Sequence, residues 1–309
     1  MKNLEFVCHK PEMFCGIIKK DWSKNEANYH MLGVPLDITS SYRTGARLGP
    51  DYIRKILLSE NFECVSESGL SLNEYYRIQD WGNVGIINTD IEKSMQFISE
   101  GIYDLVSTEQ PFLILGGDHS TTIGVGNAYD KANLSVYYIY IDAHLDMYKD
   151  VKESKYSHAC TLRRLSEMKS FQGASVFGYR DFTRNQLEDA KEVGIEVFST
   201  DTLLRESNLH QFAYNFSKRL SSRYSRIHIS VDLDVIDPGF APGVGNPVAA
   251  GISTRNLIWV LNGLFNGNIS DQIITWDIVE FNPLYDCAEI TSFNILKIMI
   301  ESLGAQIKR

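Results

Sequence analysis

Short runs of apolar, β-branched or aromatic residues recur along the 309-residue chain, each about the length of a strand. They fall at 30–34, 75–79, 112–115, 135–141, 175–178, 195–198, 226–231 and 273–279. Several are apolar at consecutive positions, as expected of parallel strands covered on both faces. Between them lie segments with apolar residues at helical spacing, at 51–58, 90–106, 183–193, 208–220, 253–265 and 287–303. Pro50 suits the opening turn of the first, and Asp90 is suited to cap the second. This alternation predicts one α/β domain over residues 1–309. Its architecture would be a three-layer α/β/α stack around a central, mostly parallel, eight-stranded sheet. Residues 1–28 precede the pattern as an extension to which it gives no role. In such folds ligands sit beyond the carboxyl ends of the strands, so the residues there matter most.

Three strand ends carry residues of metal-ligand type. In FLILGGDHS (112–120), Gly116 and Gly117 let the chain turn before Asp118 and His119. In YIYIDAHLDMY (138–148), Asp142, His144 and Asp146 occupy every second position, which an extended chain directs to one side. In IHISVDLDVIDP (227–238), Asp232 and Asp234 repeat that spacing. Desolvation and mutual repulsion would force four clustered carboxylates to protonate, and two divalent cations resolve the conflict. An oxygen-rich set with two imidazoles and no thiolate leans towards manganese over zinc, with nickel, cobalt and iron left open. Two such ions about 3.5–4 Å apart would share a water and lower its pKa towards neutrality. A lone D-x-D commonly serves only as a turn or cap; three such blocks at three strand ends do not reduce to that.

Composition narrows the function classes. Apolar residues make up 44% and charged residues 22%, ordinary for a globular enzyme. No apolar run reaches the roughly 18 residues that a membrane-spanning helix needs. The N-terminal MKNLEFVCHKPEMF lacks the apolar core of a signal peptide, so a cytoplasmic location is expected. The net charge of -9, with no basic cluster, argues against nucleic acid and suits a small cationic substrate. The 5 cysteines are scattered without a CxxC, which indicates reduced thiols rather than disulfides or a zinc knuckle.

GGDHS (116–120), DAHLD (142–146) and SVDLDVIDP (230–238) resemble the signature blocks of the ureohydrolases. That family comprises arginases, agmatinases, guanidino-acid hydrolases and formiminoglutamases. The likeness runs through nearly the whole chain, in GARLGPDYIR (45–54), GYR (178–180), APGVGNP (241–247) and VEFNP (279–283). It implies an arginase-like fold and two Mn2+ per chain. One ion would be held by His119, Asp142, Asp146 and Asp232, the other by His144, Asp142, Asp232 and Asp234, with Asp142 and Asp232 bridging. It also implies hydroxide attack on a guanidinium carbon, releasing urea and an amine. Asp146 would orient the nucleophile, His158 of YSHACTLRR would carry a proton to the leaving amine, and Glu280 would receive the guanidinium.

The substrate is read from departures within the family. Tyr148 stands where arginases usually carry Asn, and Thr183 replaces an arginase aspartate, so the chain is most like the agmatinases. Agmatine, giving putrescine and urea, is the expected substrate. Asn246 replaces the threonine of the usual G-T-P and adds donors near the expected pocket. A guanidino acid such as 4-guanidinobutyrate is the alternative, favoured if Lys149, Lys152 or Lys155 faces the cleft. Arginine and formiminoglutamate rank behind it. An inactive metal-binding scaffold is the non-enzymatic reading, and a dinuclear phosphoesterase would draw on more histidine and asparagine. The family resemblance also implies a homo-oligomer, a trimer or hexamer, while hydropathy and charge leave neither membrane nor nucleic acid as a partner.

Overall fold

The computed structural model of the chain describes residues 13–22, 26–58 and 62–307. The strands are β1 (Ile18–Lys19), β2 (Tyr29–Gly33), β3 (Ile78–Asn83), β4 (Phe112–Leu115), β5 (Val136–Ile141), β6 (Phe171–Tyr179), β7 (Glu196–Ser199), β8 (Ile227–Asp232) and β9 (Ile273–Val279). They form one sheet in the order β1-β3-β2-β4-β9-β8-β5-β6-β7, and every ladder is parallel. The helices among the described residues are α1 (Gly49–Leu57), α2 (Ile91–Val106), α3 (Thr121–Lys131), α4 (Thr161–Ser166), α5 (Arg184–Val193), α6 (Thr200–Arg205), α7 (Leu209–Ser221), α8 (Thr254–Phe265) and α9 (Ile290–Gln306). None is long and apolar enough to cross a membrane.

Alternation along β5 explains the three layers. Tyr137, Ile139 and Ile141 join one core, with residues of α1, α6, α7, α8 and α9. Val136, Tyr138 and Tyr140 join the other, with residues of α2, α3, α4 and α5. A strand with two covered faces reads as a continuous apolar run, as β5 does. Strands β4 and β5 follow one another in sequence, yet β9 and β8 lie between them. Four adjacent carboxyl ends, those of β4, β9, β8 and β5, therefore meet at the middle of the sheet, where an open α/β fold places its crevice.

The sheet has nine strands, not the eight expected. The extra one is β1, whose Ile18 and Lys19 pair with Ile78 and Gln79 of β3. Phe14, Ile17 and Ile18 are buried in the first core, so the described part of the N-terminal extension packs on its own chain. Residues 1–12 lie outside the described part. The run expected at 75–79 begins as a strand only at Ile78 and continues to Asn83. Its continuation is hidden from an apolar count because Asp80 is buried as the partner of Arg54, with both nitrogen–oxygen contacts at 2.8 Å. Helix α3 also escapes the apolar pattern, since its sequence TTIGVGNAYDK holds two glycines. A Cβ on Gly124 would lie 2.5 Å from Ile98 of α2, and one on Gly126 2.5 Å from Leu165 of α4, so these glycines admit neighbouring helices.

Gly117 plays the corresponding part at the site. Its φ is not positive, so what it supplies is room: a Cβ there would stand 1.8 Å from the carbonyl oxygen of Leu36. That carbonyl accepts from the Asp118 N–H at 2.6 Å, which locks the β2 and β4 exits together. Gly117→Ala is expected to destabilise the fold by about 2 kcal/mol or more. Gly85→Ala, at a position with nothing within 4 Å of the added carbon, should stay within about 0.5 kcal/mol of the parent. Denaturant midpoints of the two variants check this.

Candidate active site

Strand β5 ends at Ile141, and the residues that follow keep its two-sided pattern. Ala143, Leu145 and Met147 enter the core, while Asp142, His144, Asp146 and Tyr148 turn to the cleft. The backbone is not a continued strand, because Asp146 adopts a left-handed φ of 48°. Glu280, one residue beyond β9, does the same at 62°. Left-handed backbone in a side-chain-bearing residue is uncommon and gathers at functional sites.

The histidines and aspartates converge in two groups. His119 Nδ1 lies 2.9 Å from Asp142 Oδ2, 3.2 Å from Asp146 Oδ2 and 3.0 Å from Asp232 Oδ2. His144 Nδ1 lies 3.4 Å from Asp142 Oδ1 and 3.1 Å from Asp234 Oδ2. His119, Asp142 and Asp146 could hold one metal ion, and Asp142, His144 and Asp234 a second. Asp142 belongs to both groups and offers one oxygen to each, the geometry of a bridging carboxylate. Asp232 faces His119 through Oδ2, whereas its Oδ1 accepts the Asp234 N–H at 2.8 Å.

Hydrogen bonds beneath the site fix which nitrogen of His119 is free. Ser230 Oγ donates to Asp277 Oδ1 at 2.7 Å, so at its 2.9 Å contact with His119 it accepts from Nε2–H. The Nδ1 lone pair then points at three carboxylates. Nδ1 and Asp142 Oδ2 are buried without hydrogen-bond partners, an arrangement that calls for a cation between them. The same carboxylates favour the protonated ring. Burial opposes its charge, but Tyr140 and the three aspartates outweigh that and raise its pKa well above the ordinary value. Burial, Asp234 and Asp142 likewise push Asp232 well up.

Asp277 anchors this layer. It also accepts from His228 Nε2 at 2.9 Å and Thr122 Oγ1 at 3.0 Å, and Tyr129 OH meets His228 Nδ1 at 3.0 Å. His119, Thr122, Tyr129, His228, Ser230 and Asp277 are all buried. Burial alone would raise the Asp277 pKa, but His228 and the other donors bring it below the ordinary value, so the carboxylate stays ionised. By type and strand position alone His228 is expected to be a packed or supporting residue, and nothing local gives Asp277 or Ser230 a role. One signal was available: neighbouring strands β8 and β9 each place polar side chains, His228 and Ser230, then Thr275 and Asp277, on one face.

A second network holds Glu280 and His158. Glu280 Oε1 accepts from the His119 N–H at 2.9 Å and faces His158 Nδ1 at 3.1 Å. Its Oε2 lies where a Cβ on Gly245 would approach to 2.9 Å, so the glycine leaves that oxygen clear. Burial works against the charged His158, yet Glu280, Asp118 and Asp146 raise its pKa to about 9. Asp118, between its neighbours Thr39 and Ser120, is pushed up to about 6 by burial and by the charge of Glu280.

His119, His144, Asp146, Asp232, Asp234, His158 and Glu280 line a cleft of about 240 Å3, together with Ser41, Tyr148, Asp181, Phe182, Thr183, Gln186 and Asn246. Thr183 caps α5 in a reciprocal pair with Gln186. Lys149, Lys152 and Lys155 are exposed and outside the lining. Arg180, unassigned by sequence, staples the far wall by donating to the carbonyls of Asp234, Val235, Val248 and Ala249 at 2.7–3.1 Å. A larger cavity of about 590 Å3 opens at the opposite ends of the strands and contains none of the candidate ligands.

The buried relay makes a prediction about metal. Asp277→Asn should weaken divalent-metal affinity by about 10–100-fold, because a supporting partner of a ligand histidine is altered. Calorimetric titration of the metal-free protein with Mn2+ checks it, and an unchanged affinity would separate Asp277 from the centre.

The model of the arginase family matches residues 27–304. Agmatinase of Bacillus cereus is 28% identical over 294 residues, covering 94% of this chain and 96% of that protein. The mitochondrial arginase 1 of Arabidopsis thaliana is 29% identical over 292 residues, covering 92% and 82% respectively. The crystal structure of agmatine ureohydrolase from Thermoplasma volcanium superposes with a TM-score of 0.81 at 26% identity, covering 99% of this chain and 97% of that one. With its family model matched from the second strand to the last helix, the chain belongs to the arginase family of hydrolases.

Proposed function

We propose that this protein is a manganese-dependent agmatinase, hydrolysing agmatine to putrescine and urea. The observation that carries the substrate is the charge of the cleft. Beyond the carboxylates that would hold the metal ions, its lining keeps Glu280 at the floor and Asp181 at the exposed rim, 68% accessible at its side chain. A substrate cationic at both ends suits acid at floor and rim alike. The lysines that would have favoured a guanidino acid lie outside that lining.

In this reading His119, Asp142, Asp146 and Asp232 would hold one Mn2+, and His144, Asp142, Asp232 and Asp234 the other. When bound, the ions supply an acidified water as nucleophile near neutral pH. Glu280 keeps Oε1 for His119 N–H and His158, leaving Oε2 to accept from the planar guanidinium. Asp146 orients the attacking water towards the guanidinium carbon. His158, protonated at neutral pH, is the proton source for the departing amine. Tyr148 and Asn246 flank the aliphatic tail.

Product release from agmatine, arginine, 4-guanidinobutyrate and formiminoglutamate, each with Mn2+, tests the reading. Agmatine is expected to give the highest kcat/KM, and no turnover of agmatine overturns the assignment. Elemental analysis should find two ions per chain, and Asp142→Ala should lose both together with activity. A variant that retains them would remove the bridging role.

A further inference from the structure

Both ring nitrogens of His158 are engaged. Nδ1 faces Glu280 Oε1 at 3.1 Å, and a carboxylate only accepts, so Nδ1 carries a proton. Nε2 faces Ser41 Oγ at 3.1 Å. The same Oγ accepts from Asn246 Nδ2 at 3.1 Å. The His158 N–H donates to Thr39 Oγ1 at 2.9 Å, so the short stretch from Thr39 to Ser41 grips the residue at backbone and ring.

Burial lowers the His158 pKa, and Glu280 outweighs it to bring the value to about 9. At neutral pH Nε2 is therefore also protonated and donates to Ser41. An Oγ that receives donors from both His158 and Asn246 has its lone pairs filled, and its own proton is left for an acceptor. Ser41 lines the cleft, so a group bound there is in place to accept it. The side chain caps no element, and Ser41 is exposed, so the contact contributes little to folding.

We propose that Ser41 relays the proton from His158 to the nitrogen that leaves the substrate, with Asn246 holding the serine hydroxyl in line. The relay rests on the hydrolytic reading above. As the C–N bond breaks, its electron pair goes to the nitrogen, which takes the Ser41 proton. Ser41 Oγ takes the Nε2 proton in turn. His158 is left neutral, still donating Nδ1–H to Glu280, and regains its proton from water.

Steady-state kinetics of Ser41→Ala, Ser41→Thr and Asn246→Ala test the relay, beside nitrogen-15 spectra of histidine-labelled resting protein. Ser41→Ala should lower kcat by about 100-fold, the scale of general acid catalysis, with KM moved far less. Ser41→Thr, which keeps a hydroxyl, should restore most of the loss, and Asn246→Ala should fall between. Ser41→Ala should also shift the His158 Nε2 resonance. A Ser41→Ala enzyme with parental kcat, or a loss that threonine does not restore, overturns the relay. If the parent turns over no guanidino compound, the hydrolytic reading falls by itself. An Nε2 resonance unmoved by Ser41→Ala overturns the Ser41 contact whatever the turnover.

Discussion

The constraint on which this structure depends is the crowding of negative charge at the centre of the sheet. Asp142, Asp146, Asp232 and Asp234 are all buried within reach of two imidazoles, at the ends of β5 and β8. Carboxylates so placed either protonate or share cations. Everything nearby serves to hold them there despite their repulsion. Gly117 brings two loops into contact, Arg180 ties down the wall after β8, and Asp146 and Glu280 adopt left-handed backbone.

A second carboxylate layer lies beneath the first and works in the opposite sense. Asp277 is ionised because Ser230, His228 and Thr122 donate to it, and through Ser230 it sets the tautomer of His119. Had the two strands been apolar on this face, His119 Nε2 would lack its acceptor and either nitrogen could face the aspartates. The polar residues of β8 and β9 thus exchange hydrophobic burial for the orientation of one ring.

Above the floor, Glu280 links the two halves of the chemistry. One oxygen is spent on His119 N–H and His158, while the other is kept open by the absence of a side chain at Gly245. The protonated state of His158 and the fixed place of His119 both follow from that one carboxylate. Such sharing makes the effects of single substitutions in this cluster non-additive.

Most of the frame was legible in the sequence, because apolar runs and helical spacing report burial directly. Where that signal failed, the reason is local. β1 has two residues, α3 is built around glycines that its neighbours require, and the β3 strand continues through an aspartate whose partner lies on α1. The histidines and aspartates that cluster at the centre were legible too, since chemistry restricts their types and strand ends restrict their spacing. Sequence by itself thus determined the layered α/β class and the six residues of the charged centre. Only the tertiary structure decided that Asp142 divides its oxygens between two groups, that Asp277 governs His119, and that Ser41 meets His158 and Asn246. Those contacts join residues far apart in the chain, and a hydroxyl or buried carboxylate becomes specific only when its partner is brought within about 3 Å.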